Sequence, residues 1–294
     1  MKIPELFKNK KTVFSFEIFP PKKDSSVETV YKTLDELCDL KPDFISVTYN
    51  AGGASLTGAC PKGCSTREIV QTIKEKYHTE SIAHLTCVNS SKEDIDRIIE
   101  EFKANGIENI LALRGDKNPD IPPKKDFEHA SDLIRYMKAR SDFSFSGGCY
   151  PESHPEAGSL DEDIENLRRK VDAGADHLMS QLFFDNEAFY RFLEKARARG
   201  INVPIEAGIM PCVNVKQIQR MVVLCGSSLP PKFARMMARY GDNPEAVRDA
   251  GIAYAVDQII DLAANGVDGI HLYTMNNPYV ARKISESVSG IIRN

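Results

Sequence analysis

No apolar run in this 294-residue sequence is long enough to span a bilayer, which excludes a membrane-crossing helix. Positive charge is not in excess either. The net charge is −4, whereas a general nucleic-acid or acidic-membrane surface needs a basic field. Small molecules are therefore the expected partners. Residues 1–11 form a short polar lead without the charged-then-apolar order of a signal peptide, which points to the cytoplasm. The cysteines are odd in number, seven, and scattered, which fits reduced thiols and not a disulfide framework. No G-x-G-x-x-G turn and no P-loop is present, so the phosphate-cradling signatures of an open, doubly wound nucleotide fold are missing.

Metal signatures are incomplete as well. Cys60 and Cys64 have the first spacing of a C-x₃-C-x₂-C iron–sulfur motif, but position 67 is Arg67. A zinc site would need a second, correctly spaced pair. Cys87, Cys149 and Cys212 fall near expected strand ends and read as small buried thiols. No metal is expected.

What is present is a repeating strand-and-helix cycle. Hydrophobic content of 42% and charged content of 27% are those of a soluble globular chain, long enough for one barrel-sized domain or two ordinary ones. Val13-Phe-Ser-Phe-Glu-Ile-Phe-Pro-Pro21 alternates like a buried strand until two prolines stop it. Helical spacing over 25–40 ends at Pro42, and Phe44–Tyr49 is the next β-rich run. The cycle continues through helical 66–77, 94–104, 130–139 and 160–173, each followed by an apolar run, at 82–87, 109–116, 143–150 and 177–184. Runs at 204–211 and 269–276 and a helix at 278–292 complete it. Eight strands alternating with helices, with no linker or low-complexity break, predict a single-domain (β/α)₈ TIM barrel over 1–294. Residues 215–264 exceed one helix, so an extra helical piece is expected near 230–240.

Active sites of such barrels lie at the carboxyl ends of the strands. The unusual polar residues of this chain cluster there in the sequence: Glu17, Thr48, His84, Arg114-Gly115-Asp116, Tyr150, Gln181, His271 and Tyr273. Glu17 stands among three phenylalanines, where an unpaired carboxylate loses its hydration and favours the protonated form a general acid needs. Its plain alternative is an ion pair at a strand end. Arg114 offers a fixed fork of donors, Gly115 a close backbone approach and Asp116 a charge, although such a tripeptide is also an ordinary turn with a salt bridge. His84, between Ala83 and Leu85, reads equally as a ligand or a satisfied core histidine. The loop 150–158 is extended by two X-Pro steps, and the following helix brings Asp163, Asn166, Arg169 and Lys170 in its first turns. Such an edge suits a ribose and a pyrophosphate; otherwise it is a solvated charged face.

Taken together, Phe14-Ser-Phe-Glu-Ile-Phe-Pro-Pro-Lys22, Ser46-Val-Thr-Tyr49, His84-Leu-Thr-Cys87, Leu113-Arg-Gly-Asp116, Tyr150-Pro-Glu-Ser-His-Pro-Glu-Ala157, Lys170-Val-Asp-Ala-Gly-Ala175, Gln181-Leu-Phe-Phe-Asp185, Gly208-Ile-Met-Pro211 and His271-Leu-Tyr-Thr-Met-Asn276 resemble the methylenetetrahydrofolate reductase family, bacterial catalytic-domain type. The resemblance implies an FAD-containing (β/α)₈ barrel that reduces 5,10-methylenetetrahydrofolate to 5-methyltetrahydrofolate, in one-carbon metabolism and methionine biosynthesis. It implies that Glu17 protonates the folate and opens its five-membered ring to an iminium ion, which takes a hydride from reduced flavin. Asp116 would stabilise that cation, and Gln181 and Tyr273 would contact the folate. The positions implied for FAD are Thr48, His84, Arg114, Gly115, Asp116, Tyr150, His154, Ala157, Asp163, Asn166, Arg169 and Lys170. Folate and the electron donor would bind in turn on one face of the flavin.

The chain departs from the family pattern at Val215, Asn277 and His129, where an aromatic, an arginine and an aromatic residue are common, and in the segment carrying Cys60 and Cys64. These departures leave the electron donor open among NADH, NADPH and a reduced redox partner protein. A homo-oligomer or a complex with a partner subunit is expected. Two other classes are weighed: a flavin-free, pterin-binding methyltransferase barrel with a corrinoid partner, and a non-catalytic subunit of the same fold.

Overall fold

Each apolar run pairs with the next, and the last returns to the first. The computed structural model describes residues 1–21, 26–49, 65–116, 122 and 124–293. Its strands are β1 (Val13–Ile18), β2 (Phe44–Val47), β3 (Glu80–Thr86), β4 (Asn109–Leu113), β5 (Ser144–Cys149), β6 (His177–Ser180), β7 (Ile205–Ile209) and β8 (Gly269–Tyr273). All neighbours are parallel and the sheet closes as a barrel in chain order. Parallel pairing forces a crossover after each strand, and the helices supply it.

A 3₁₀ turn (Ile3–Glu5) and a short helix α1 (Leu6–Asn9) precede β1. Helices α2 (Val27–Asp39), α3 (Thr66–Tyr77), α4 (Lys92–Ala104), α5 (Ala130–Lys138), α6 (Leu160–Asp172) and α7 (Asn186–Ala198) follow β1 to β6 in turn. After β7 come α8 (Val215–Cys225), α9 (Pro231–Tyr240) and α10 (Pro244–Ala264), and after β8 comes α11 (Pro278–Ile292). The extra piece expected near 230–240 is α9. Ser26, Ser65, Ser91, Ser159, Asp185, Asn214, Asn243 and Asn277 cap helix N-termini through side chains that accept from first-turn N–H groups. Each cap fixes where a crossover helix starts. Among the described residues, no helix is long and apolar enough to cross a membrane.

The two-residue period of the strands sorts their side chains. Phe14, Phe16, Ile18, Val47, Leu85, Ala112, Phe145, Ile205 and Leu272 face outward into the core shared with the helices. Full burial of one such side chain contributes about 1.5–3 kcal/mol. On the inner face, Val13, Phe44, Ile82, Leu111 and Met179 form an apolar floor closed by Ile3, Leu6 and Phe7. The same face carries the polar residues Ser15, Ser46, Ser146, His177, Glu206 and His271, none more than 1% exposed, with Leu111 level with Ser146 and Met179 nearer the carboxyl end than His177. Most barrels fill this face with branched aliphatics.

Strand alternation also corrects one expectation. Glu17 is not enclosed by phenylalanines, because Phe14 and Phe16 turn to the opposite face and Phe19 lies beyond the strand. The carboxylate shares its face with polar groups instead.

Candidate active site

At the carboxyl end of the barrel, β1 carries Glu17 opposite Ser46 of β2 and Tyr273 of β8. Glu17 is buried, with Oε2 3.7 Å from His84 Nε2 and 3.8 Å from His271 Nε2. Its backbone carbonyl accepts a 2.6 Å hydrogen bond from Thr274 Oγ1. Burial drives the His84 imidazole down to about 4 against the opposing pull of Glu17, so His84 is neutral at physiological pH. Its Nε2 and the buried Thr48 Oγ1 have no hydrogen-bond partner among the described residues. Both atoms are shielded from solvent, so each is an exception to the rule that buried polar groups are paired.

The loops that follow β4 and β5 meet each other. Arg114 donates from Nη1 and Nη2 to the two Glu156 oxygens at 2.5 and 2.9 Å. Gly115 has φ +85, and a Cβ there would stand 2.9 Å from Thr86 Cβ, so both backbone and packing demand glycine. Asp116, the next residue, is exposed. Tyr150 stacks edge-on against His154 at 4.7 Å, and burial lifts its phenol to about 12. The His154 N–H donates to Asp163 Oδ2 at 2.9 Å, while burial holds that carboxyl above its ordinary range. The Ala157 N–H donates to the His154 carbonyl, which folds the loop over the end of β5.

Helix α6 places its cations differently from expectation. Arg169 and Lys170 stand in its last turn, not its first, because they are the tenth and eleventh of its 13 residues. Arg169 is exposed and donates to Asn166 Oδ1 at 3.4 Å. Lys170 nevertheless reaches back toward the mouth of the barrel. Its stem fills the space that Gly147 leaves empty, where a Cβ would come within 2.7 Å of Lys170 Cδ, and its amine donates to the Gly148 carbonyl at 2.5 Å. Burial lowers the affinity of that amine for its proton.

Gln181 follows β6, with Oε1 accepting from the Leu182 N–H at 2.9 Å. Tyr273 lies over Gly208, where a Cβ would meet its ring at 2.8 Å, and its hydroxyl donates to the Ser180 carbonyl at 2.7 Å. Two of the departures from the family pattern have local roles: Asn277 caps α11 through Val280 N–H, and His129 N–H is held by Asp132 at the start of α5. Val215 opens α8. Cys87, Cys149 and Cys212 are free buried thiols, each pushed up to about 12 by burial. Cys60, Cys64 and Lys22 lie outside the described residues.

Sequence reading missed the polar layer beneath Glu17. Ser15 Oγ donates to Glu206 Oε1 at 2.8 Å and lies 2.6 Å from His271 Nδ1. Glu206 Oε2 is 3.1 Å from His177 Nε2, and His177 Nδ1 is 2.9 Å from Ser146 Oγ. The available signal was an acid and a histidine inside two strands of a fold whose strands are buried on both faces.

A family model described as methylenetetrahydrofolate reductase matches residues 2–289. The 5,10-methylenetetrahydrofolate reductase of Pectobacterium carotovorum subsp. carotovorum is 37% identical over 274 residues, covering 93% of this chain and 89% of that protein. The Escherichia coli (strain K12) protein of the same description is 36% identical over 276 residues, covering 93% and 90%. Methylenetetrahydrofolate reductase (NADH) 1 of Arabidopsis thaliana is 34% identical over 308 residues, and the chain spans 50% of that longer relative. Among solved structures, an uncharacterized protein from Clostridium thermocellum that binds two copies of 5-methyl-5,6,7,8-tetrahydrofolic acid superposes with a TM-score of 0.67 at 15% identity, covering 100% of this chain and 99% of that one. Tryptophan synthase from M. tuberculosis superposes at 0.59 and 11% over the full length of both chains. Likeness at such identities is one of fold. The family match, by contrast, runs over nearly the whole chain and agrees with the bacterial relatives, and the chain belongs to the methylenetetrahydrofolate reductase family.

Proposed function

We propose that this chain reduces 5,10-methylenetetrahydrofolate to 5-methyltetrahydrofolate, with FAD as bound carrier and NADH, NADPH or a reduced partner protein as electron source. The observation that carries the reading is Glu17: a buried carboxylate at the barrel mouth, between two imidazoles, beside the orphaned Thr48 Oγ1 and His84 Nε2. Those unpaired atoms fit a flavin, whose ring edge offers both donors and acceptors.

The residues that would hold FAD are Thr48, His84, Arg114, Gly115, Asp116, Tyr150, His154, Ala157, Asp163, Asn166, Arg169 and Lys170. Bound FAD would supply hydride transfer, which no side chain supplies. The chain's own part is proton and charge control. Glu17 gives a proton to the folate nitrogen, which opens the five-membered ring and leaves an electrophilic iminium carbon. The Asp116 carboxylate offsets the positive charge that this step creates. Gln181 and Tyr273 orient the pterin. Lys170 and Arg169 add positive charge on the α6 side of the site, while Arg114 exchanges Glu156 for an anionic group of the ligand.

The test is the visible spectrum of the purified protein, reconstituted with FAD if colourless, followed by anaerobic addition of NADH and then NADPH. A flavin band that bleaches with a nucleotide and recovers on adding 5,10-methylenetetrahydrofolate is the expected result. Bleaching only by a reduced partner protein assigns the donor to that protein. Failure to take up FAD overturns the reading.

A further inference from the structure

The buried layer beneath Glu17 has a direction, and that direction follows from counting protons. Ser15 has one hydroxyl proton and two close neighbours, Glu206 Oε1 at 2.8 Å and His271 Nδ1 at 2.6 Å. The Ser15 hydroxyl donates its proton to Glu206 Oε1. The Ser15 oxygen is then left to accept, and His271 Nδ1 must carry a hydrogen to fill the 2.6 Å contact. In a neutral imidazole the other nitrogen is then bare. That bare Nε2 lies 3.8 Å from Glu17 Oε2 and 3.4 Å from Ser46 Oγ. On its far side Glu206 Oε2 lies 3.1 Å from His177 Nε2 without a hydrogen bond between them, and Phe44 stacks 6.3 Å from the His271 ring and keeps water off it. Every member of the chain is at most 1% exposed, so no bulk water competes for these bonds.

We propose that Ser15 and Glu206 are positioning residues that lock His271 in the Nδ1–H form, so that a nitrogen lone pair, and not an N–H, faces Glu17. At 3.8 Å the two groups act on each other through charge and not through a hydrogen bond: a lone pair disfavours a carboxylate there, and an N–H would favour it. The lock thus selects the proton-bearing Glu17 that delivers a proton to substrate, and it acts from inside the barrel without touching substrate. Among the described residues, the titratable groups facing Glu17 are His84, His271 and Tyr273. The inference rests on the reading of Glu17 as the acid of the proposed reaction.

Nitrogen-15 NMR of histidine-labelled protein reads the tautomer directly, and six histidines make assignment by single substitution practical. The wild-type His271 ring is expected to show a protonated Nδ1 and a bare Nε2. Ser15→Ala removes the acceptor and moves the proton to Nε2, whereas Ser15→Thr keeps the hydroxyl and the wild-type pattern. Glu206→Met frees the Ser15 hydroxyl to donate to Nδ1, which again moves the ring proton to Nε2. Should that variant fail to fold, the wild-type spectrum and the two Ser15 variants still decide. In turnover, Ser15→Ala lowers kcat about tenfold or more with little change in KM and moves the pH profile of the folate half-reaction to lower pH. Ser15→Thr restores both. A wild-type ring protonated at Nε2 overturns the proposal whatever the activity. An Nδ1–H ring with an unmoved pH profile in Ser15→Ala overturns the coupling to Glu17. An Nδ1–H ring in a protein that does not reduce folate refutes the functional reading, and with it the role assigned to the lock.

Discussion

Asn276 and Phe19, 257 residues apart, exchange two hydrogen bonds: Phe19 N–H donates to Asn276 Oδ1 and Asn276 Nδ2 donates to the Phe19 carbonyl, both at 2.8 Å. This pins the loop after β8 to the end of β1, two residues beyond Glu17. Asn276 itself has φ +54, next to Met275 at +52, a backbone region that asparagine tolerates better than most residues. Asn276→Ala should cost about 3 kcal/mol through two lost bonds and a strained Cβ. Asn276→Gly should cost less, since it relieves the backbone. Urea unfolding of the two variants measures the difference, and equal losses would mean that the backbone conformation is not under strain.

Glu17→Gln keeps the shape of the side chain and removes its acid. Flavin binding and reduction by the donor should persist, while oxidation of the reduced enzyme by 5,10-methylenetetrahydrofolate falls by several orders of magnitude. Anaerobic stopped-flow of the two half-reactions separates these effects. Folate reduction within tenfold of wild type would remove Glu17 from the role of acid.

His84 gives the protein an acid-side weakness. Its imidazole falls from 6.5 to about 4 on folding because burial opposes the charged form. The unfolded chain therefore binds the extra proton first, and stability from this group is fully present above pH 6.5 and lost as pH falls toward 4. The loss is on the order of 3 kcal/mol across that window. His84→Gln, which does not titrate, should show a flatter fall in denaturant midpoint between pH 6.5 and 4, and an unchanged slope would assign the acid sensitivity to other groups.

Gly147 and Lys170 should couple in a double-mutant cycle. A methyl at 147 meets the Lys170 stem at 2.7 Å and Leu178 Cδ2 at 3.2 Å, so Gly147→Ala alone should destabilise by about 1–3 kcal/mol. With Lys170→Ala the methyl has room, and the pair should cost less than the sum of the single changes. Additive losses would show that Leu178, and not the lysine, sets the cost.

The eight runs, their order and the piece at α9 were legible because alternation and helical spacing are local. Strand ends were less so. The apolar residues Leu182, Phe183 and Phe184 extend the run at 177–184, yet β6 stops at Ser180 and those side chains pack under loops and helices. The start of α6 at residue 160 was legible, and counting from it puts Lys170 in the last turn and not among the first turns, where it was expected. The neighbours of Ser15 were hidden for a different reason. Which strand lies beside β1 is fixed only when the barrel closes, and Ser15 and His271 are 256 residues apart. Polar residues on an inner face read like any others until the opposite strand is known.

The apolar floor makes access to the barrel interior one-sided. Ile3, Val13, Phe44 and Ile82 are each fully buried, and Phe7 lies 5.0 Å from the His177 ring, stoppering the polar layer from below. With the lower end closed, the carboxyl end that carries Glu17 is the side from which hydrogen exchange of that layer is expected to proceed.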